Sequence, residues 1–127
     1  MAGELEKTVR DYMKRIDAKD FAGVGQMLTE DVQTVDEISR RWVRGRQAVE
    51  EYFRQVGPAV EDIRSDIKDV REAAWGDLGV VTCWMEQDYT YQGKRQHVAA
   101  PTTIVLRRIG SEWKAALHHS VPLPEGS

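Results

Sequence analysis

The spacing of apolar residues changes halfway along the chain, and this change constrains the fold more than any other feature of the sequence. Up to about residue 56, apolar side chains recur every three or four residues, which is typical of amphipathic helices. From residue 62 onward, long runs of strand-forming residues are separated by short turns that contain glycine. Helices followed by a meander of strands indicate an α+β fold, in which helices cover one face of a curved sheet.

The same pattern predicts the bounds of the individual elements. Helices are expected over residues 3–18, 21–28 and 46–56, and Asp20 is the expected N-cap of the second helix. A short strand at 32–36 and a loop or hairpin over 37–45 separate the second and third helices. Four long strands are expected over residues 62–75, 78–92, 96–109 and 112–121, with turns at Gly76-Asp77, Gln92-Gly93 and Gly110-Ser111. Such strands should curl into a half-open cone and leave a cavity beneath the helices.

Length and charge limit the classes of function. The 127 residues suit one domain spanning 1–127, with a flexible tail over about 122–127. The net charge of −3 gives no concentrated positive field, so we expect no nucleic-acid partner. No apolar run is long enough to cross a membrane, and the N-terminus lacks a signal-peptide core. We therefore expect a cytoplasmic protein with no membrane partner.

Two polar residues stand at positions that suit proton transfer. Tyr12 lies on the apolar face of the first helix, and Asp36 ends the short alternating strand. If both face one cavity, the apolar surroundings disfavour the ionised form of Asp36 and make it a stronger base, while Tyr12 donates a hydrogen bond. The alternatives are a core tyrosine bonded to a backbone carbonyl, and an aspartate paired with Arg40 or Arg44.

Three stretches resemble one superfamily in their order and spacing. They are VRDYMKRIDAKDFAGVGQMLTEDV, WVRGRQAVEEYF and EWKAALHHS. Together they resemble the opening, the third helix and the closing strand of the NTF2-like, or SnoaL-like, superfamily, and the resemblance covers nearly the whole chain. It implies a cone of three N-terminal helices packed on a strongly curved, mostly antiparallel sheet. It also implies a homodimer formed through the uncovered face of the sheet.

Within that superfamily the sequence resembles ketosteroid isomerase. The resemblance implies that Asp36 is the general base and Tyr12 the hydrogen-bond donor, at the same spacing without gaps. The stretch YQGKRQHVAAP resembles the segment that leads to the isomerase's second acid. Here a threonine replaces that acid. It is Thr103 when the alignment is anchored on the Ala-Pro pair and Thr102 when it is anchored on Tyr-Gln-Gly, and either implies a weaker oxyanion site.

The sequence also predicts which residues form the cavity wall and which histidine faces the cavity. The expected wall residues are Trp42, Tyr52, Phe53, Trp84, Met85 and Tyr89, although each also suits an ordinary core, and both faces of strand 78–92 are apolar. His118 and His119 are adjacent on a strand, so only one faces inward. We expect His119, because it shares a strand face with Trp113. We expect no metal site, since adjacent strand histidines point opposite ways.

These observations predict a protein that binds a small hydrophobic molecule. The first hypothesis is a cofactor-independent enzyme, either an isomerase or a related lyase, cyclase or hydrolase. Asp36 would be its base and Tyr12 its donor, assisted by Thr103 and His119. The second is a non-catalytic ligand-binding or oligomerisation module, which the missing second acid and the arginine-rich 37–46 segment favour.

Overall fold

The computed structural model describes residues 3–120 and residue 122. Its elements are α1 (Glu4–Asp17), α2 (Phe21–Gln26), β1 (Leu28–Val35), β2 (Val43–Arg44), α3 (Arg46–Val56), a 3₁₀ turn (Gly57–Ala59), β3 (Val60–Trp75), β4 (Leu78–Tyr91), β5 (Lys94–Ile109) and β6 (Glu112–Ser120). The predicted α+β class, three N-terminal helices and curved sheet are confirmed. Apart from residue 122, the tail predicted to be flexible lies outside the described residues.

The six strands form one sheet in the order β2-β1-β6-β5-β4-β3. The β1–β6 pair is parallel, and every other neighbouring pair is antiparallel. Two register shifts interrupt the pairing of β3 with β4, and such bulges bend a strand and increase its twist. The bent sheet curves around the helices and leaves space between them and its inner face.

The inner face of the sheet carries the core. Val81, Cys83, Met85 and Tyr89 of β4 are all buried, so the odd-numbered residues of this strand point inward. They pack with the apolar stripe of α1, including Val9, which is fully buried. Both faces of β4 are apolar in sequence, so the sequence does not show which face lines the interior. The packing shows that it is the face of the odd-numbered residues.

The structure places the start of β1 earlier than the sequence predicts. The backbone N–H of Ala115 donates to the carbonyl of Met27 at 2.7 Å, and Leu28 pairs with Ala115 on β6. Pairing with the last strand therefore extends β1 back to Leu28 and ends α2 at Gln26. The predicted N-cap is confirmed, since Asp20 Oδ1 accepts from the backbone N–H of Gly23 at 3.0 Å.

A bulge in β6 decides which histidine faces the interior. Leu106 pairs with Ala115 but Val105 pairs with Leu117, so Ala116 is an extra residue in the ladder. Trp113 and Ala115 are buried on the inner face before the bulge, and His118 turns inward after it. The expectation for His119 assumed an unbroken alternation from Trp113, and the bulge breaks that alternation.

Among the described residues, no helix is both long and apolar enough to span a bilayer.

Candidate functional site

A cavity opens between the helices and the inner face of the sheet. Its volume is about 90 Å³. Most of the wall is apolar or aromatic, and neither lysine nor arginine occurs among the described residues that line it. The titratable groups on the wall are Tyr12, Asp36, Glu37, Tyr52, Tyr89 and His118. The site is therefore mainly apolar and aromatic, with hydroxyl and carboxylate groups but no cationic side chain among its described residues.

The structure brings six of the ten residues predicted for the site to this cavity. They are Tyr12, Asp36, Tyr52, Phe53, Met85 and Tyr89. Trp42, Trp84, Thr103 and His119 are not among its lining residues. Trp42 stacks on His119 with ring centroids 5.5 Å apart, so these two residues contact each other instead.

Strand register explains where the two threonines lie. Thr103 pairs with Thr82 on one side and with His119 on the other, which places all three on the outer face of the sheet. Thr102 is only 2% exposed and faces the interior. The inward threonine is therefore Thr102, the position that alignment on Tyr-Gln-Gly indicates, and the expectation that Thr103 faces the site is wrong for this reason.

Asp36 is held by the turn that follows β1 and by α3. Its Oδ1 accepts from the backbone N–H groups of Ile38 at 2.9 Å and Ser39 at 2.8 Å. The Tyr52 hydroxyl donates to Oδ1 at 3.0 Å and lies 3.3 Å from Oδ2. Three donors on one oxygen fix the side chain, while Oδ2 keeps free lone pairs. Arg40 instead donates to the Glu37 carbonyl.

Tyr12 begins a chain of hydrogen bonds that ends on a backbone carbonyl. The distances are 2.9 Å from Tyr12 Oη to His118 Nδ1, 3.1 Å from His118 Nε2 to Ser120 Oγ and 3.0 Å from Ser120 Oγ to Thr102 Oγ1. Thr102 Oγ1 lies 3.2 Å from the Ala100 carbonyl, which only accepts. All four bonds form only if each hydroxyl or ring N–H donates toward Ala100. This direction assigns the proton of neutral His118 to Nε2 and makes Tyr12 the donor to Nδ1.

Burial sets the charge states of this pair. Burial, with a smaller contribution from the Asp36 carboxylate, raises the pKa of Tyr12 above its usual value. Burial also lowers the pKa of His118, against the attraction of Asp36. A neutral tyrosine beside a neutral imidazole is the result, which agrees with the direction of the hydrogen-bond chain.

Glu37 is a cavity residue that the sequence reasoning missed. Period-2 alternation places it on the face opposite Asp36, but β1 ends at Val35 and the chain turns, so both acids line the cavity. Burial and the adjacent Asp36 carboxylate raise the pKa of Glu37, while its own backbone N–H and the Tyr89 hydroxyl act in the other direction. Its apolar neighbour Ile38 was the available signal, because an acid flanked by an apolar residue at a strand end suits a cavity wall.

Comparisons with known proteins agree with this fold. Residues 5–124 match the SnoaL-like domain family. A search of curated proteins found no significant match. A protein of the NTF2-like family from Streptomyces avermitilis, proposed to be a dehydratase, superposes with a TM-score of 0.85 at 20% identity, covering 94% of each chain.

Two further solved structures share the fold. A ketosteroid isomerase-like protein from Erwinia carotovora atroseptica has a TM-score of 0.79 at 20% identity, covering 93% of this chain and 92% of its own. A protein from Xanthomonas campestris, proposed to be a calcium/calmodulin dependent protein kinase II association domain, has a TM-score of 0.82 at 19% identity. That match covers 98% of this chain and 91% of the other. At these identities the likeness shows the fold alone. The family match spans nearly the whole sequence, and the chain belongs to the SnoaL-like domain family, with an NTF2-like fold.

Proposed function

We propose that this protein is a cofactor-independent enzyme that moves a proton on a small hydrophobic carbonyl compound, with Asp36 as the general base. The observation that carries the proposal is the state of the Asp36 carboxylate. It lines an aromatic cavity with Oδ1 anchored by three donors and Oδ2 carrying free lone pairs. A fixed carboxylate beside an apolar ligand suits removal of a proton from carbon.

Tyr12 supports the reaction by a change of hydrogen-bond partner. In the resting protein its proton is donated to the neutral Nδ1 of His118 at 2.9 Å. Negative charge that develops on a ligand oxygen is a stronger acceptor than a neutral imidazole, because charge-assisted hydrogen bonds are roughly twice as strong as neutral ones. The hydroxyl then turns toward the ligand. An interaction made more strongly in the transition state than in the ground state is one that raises kcat.

The test follows double-bond migration in a cyclic β,γ-unsaturated ketone such as cyclohex-3-enone, whose conjugated product absorbs in the ultraviolet. We expect Asp36→Asn to lower kcat/KM by roughly 10²–10⁴-fold, the range typical of a general base. Asparagine keeps the Oδ1 acceptor for the turn, so the fold is preserved. Equal rates for the wild type and Asp36→Asn would show that Asp36 is not the general base.

A second candidate function is a ligand-binding module without catalysis. The observation that favours it is that Asp36 also closes the turn after β1, since its Oδ1 accepts from Ile38 and Ser39. An aspartate whose role is to accept these two hydrogen bonds does not have to act as a base. Tight binding of a ketone with no turnover, unchanged by Asp36→Asn, supports this candidate over the enzyme.

We also propose a homodimer formed through the outer face of the sheet. On the face opposite the helices, Trp84 of β4 pairs with Pro101 of β5, and Val105 of β5 pairs with Leu117 of β6. Thr103 lies between these two apolar pairs on β5. The side chains of Trp84, Val105 and Leu117 are half-buried in the single chain. Two apolar pairs on the long strands of an uncovered sheet favour a second copy of the same surface as the partner.

A further inference from the structure

A polar network connects the end of α1 to the wall of the cavity. Gln87 of β4 lines the cavity, and it pairs directly with Ser65 of β3. Its Nε2 donates to Ser65 Oγ at 2.9 Å. Ser65 in turn bonds Asp17, the last residue of α1, from its hydroxyl at 2.7 Å and from its backbone N–H at 2.9 Å. Neither Ser65 nor Asp17 lines the cavity, so Gln87 is the member of the network that reaches a ligand.

The Asp17 carboxylate fixes the orientation of the Gln87 amide. A carboxylate only accepts, so the single hydroxyl proton of Ser65 is donated to Asp17, and Ser65 Oγ is left as an acceptor. The group of Gln87 that faces Ser65 is therefore its NH₂ and not its carbonyl. Among the described residues, Oε1 and the second N–H of Gln87 have no hydrogen-bond partner, and Oε1 keeps accessible surface.

The position of Asp17 indicates that this network serves more than the helix. A carboxylate at the C-terminus of a helix lies at the negative end of the helix dipole, which disfavours it. The last turn of α1 otherwise carries the favourable cations Lys14 and Arg15. Both oxygens of Asp17 accept from Ser65. What the carboxylate holds in place is therefore Ser65 and, through Ser65, the Gln87 amide.

The Gln87 amide lies away from the acidic end of the cavity. Burial and the two neighbouring carboxylates of the turn after β1 raise the pKa of Tyr89, so its hydroxyl marks the acidic end. Gln87 precedes Tyr89 by two residues on the same strand face, which is roughly 6–7 Å along the strand. Asp17 follows Tyr12 by five residues, about 7.5 Å along α1. Both spacings suit a ligand with oxygen groups at the two ends of one ring.

A hydroxyl is the ligand group that satisfies both remaining positions of this amide. It donates to Oε1 and accepts from the second N–H, whereas a carbonyl only accepts and an ammonium group only donates. The cavity wall also carries apolar residues, among them Ile16, Ile63 and Met85. A wholly apolar ligand displaces water from the Gln87 amide and leaves it without partners, which is unfavourable.

We propose that Gln87 is a specificity-determining residue that binds a hydroxyl group of the substrate, at the end remote from the carbonyl. This inference rests on the proposed function, and it narrows the substrate class to ketones that carry a hydroxyl about one ring away from the carbonyl. Ser65 and Asp17 are positioning residues, because they act through the Gln87 amide. Holding the remote end of the ligand orients its α-carbon toward Asp36.

The direct test compares two ketones that differ by one hydroxyl. The dissociation constants of 4-hydroxycyclohexanone and cyclohexanone are measured by NMR chemical-shift titration for the wild type, Gln87→Leu and Gln55→Leu. Gln55 is exposed on α3 and is not among the residues that line the cavity, so its variant is the matched control. We expect the wild type and Gln55→Leu to bind the hydroxy ketone roughly 10-fold more tightly, and Gln87→Leu to lose the preference. A wild type without the preference, or a preference that persists in Gln87→Leu, overturns the assignment.

Ser65→Ala provides a second measurement in which Gln87 stays in place. The amide loses the acceptor that holds it, so the preference for the hydroxy ketone should fall several-fold while the affinity for cyclohexanone stays unchanged. The ratio of the two affinities reports on the hydroxyl alone, since general damage to the cavity lowers both affinities. An unchanged ratio in Ser65→Ala contradicts the positioning role.

Exchange of the α-protons for deuterium separates this inference from the proposed function. We expect Asp36→Asn to keep the binding preference and to lose catalysed exchange of both ketones. In Gln87→Leu, kcat/KM for exchange should fall roughly 10-fold with the hydroxy ketone and stay unchanged with cyclohexanone. A binding preference without catalysed exchange removes the enzyme and leaves the hydroxyl site. Catalysed exchange without a preference removes the hydroxyl site and leaves the enzyme.

Discussion

In the proposed mechanism, Asp36 combines a structural and a chemical task in one side chain. Its Oδ1 closes the turn through the N–H groups of Ile38 and Ser39, and its Oδ2 is left with free lone pairs. The two tasks use different oxygens, so they can be separated by substitution. Asparagine keeps the acceptor and loses the second carboxylate oxygen, whereas alanine loses both.

Stability measurements should separate these two tasks. We expect Asp36→Ala to be less stable than Asp36→Asn by about 1–3 kcal/mol, because alanine leaves two part-buried N–H groups without their acceptor. Urea unfolding of the two variants at one pH gives the difference. Equal free energies of unfolding would show that the turn does not depend on this acceptor.

His118 should make the folded protein sensitive to acid. Its pKa is lowered on folding, so the unfolded state takes up a proton first as pH falls below about 6.5, and stability is lost from there down to the folded-state pKa. We expect the wild type to lose more stability than His118→Gln between pH 7 and pH 5. His97→Gln is the control, since His97 is exposed on the outer face beside Asp88. The same pH dependence in all three proteins would contradict the assignment of His118 as a buried neutral residue.

At the scale of elements, the sequence predicts the regular helices and strands. It does not predict the bulge in β6 or the turn after β1, which interrupt the regular spacing. Apolar periodicity gives α3 its observed bounds and places all three hairpin turns of the long strands correctly. No residue type in β6 predicts the bulge at Ala116, because the bulge arises from the pairing of β6 with β5. As a result of the bulge, His118 faces the interior in place of His119. The turn that brings Glu37 to the cavity likewise depends on the Asp36 hydrogen bonds rather than on alternation.

The N-cap of α2 is an element-scale feature that can be measured. Asp20 satisfies the Gly23 N–H, and the short helix it starts positions Phe21 on the cavity wall, stacked on Phe53 with centroids 4.9 Å apart. We expect Asp20→Ala to lower stability by about 1 kcal/mol and Asp20→Asn to change it little, since both Asp and Asn are good N-caps. Urea unfolding compares the two. Equal losses in both variants would assign the effect to charge rather than to capping.

At the scale of the whole molecule, the two faces of the curved sheet differ in what they carry. The inner face carries the core and the cavity, and the outer face carries the paired residues Trp84 and Pro101. The family resemblance predicts this division, while the residues that fill each face follow from strand register. Thr102 and Thr103 differ by one position and lie on opposite faces, so register decides which of them belongs to the interior.

The outer face can be tested by a charge placed in its centre. We expect the wild type to be a dimer and Trp84→Glu to be a monomer in sedimentation equilibrium, because an unpaired carboxylate at the middle of an apolar interface is costly to bury. Trp75→Glu is the matched control, since Trp75 is 65% exposed at the end of β3. A wild-type monomer, or a Trp84→Glu dimer as tight as the wild type, contradicts an interface on this face.

The central claim is that Asp36 removes a proton from a carbon next to a carbonyl. Exchange of the α-protons of cyclohexanone for deuterium in D₂O, followed by proton NMR, measures that step alone and does not require any later product. We predict catalysed exchange by the wild type and a loss of roughly 10²-fold or more in Asp36→Asn. Glu112→Gln is the control and should exchange like the wild type, because Glu112 is exposed on β6 and is not among the residues that line the cavity. Exchange that is equally fast with the wild type and with Asp36→Asn would contradict the account.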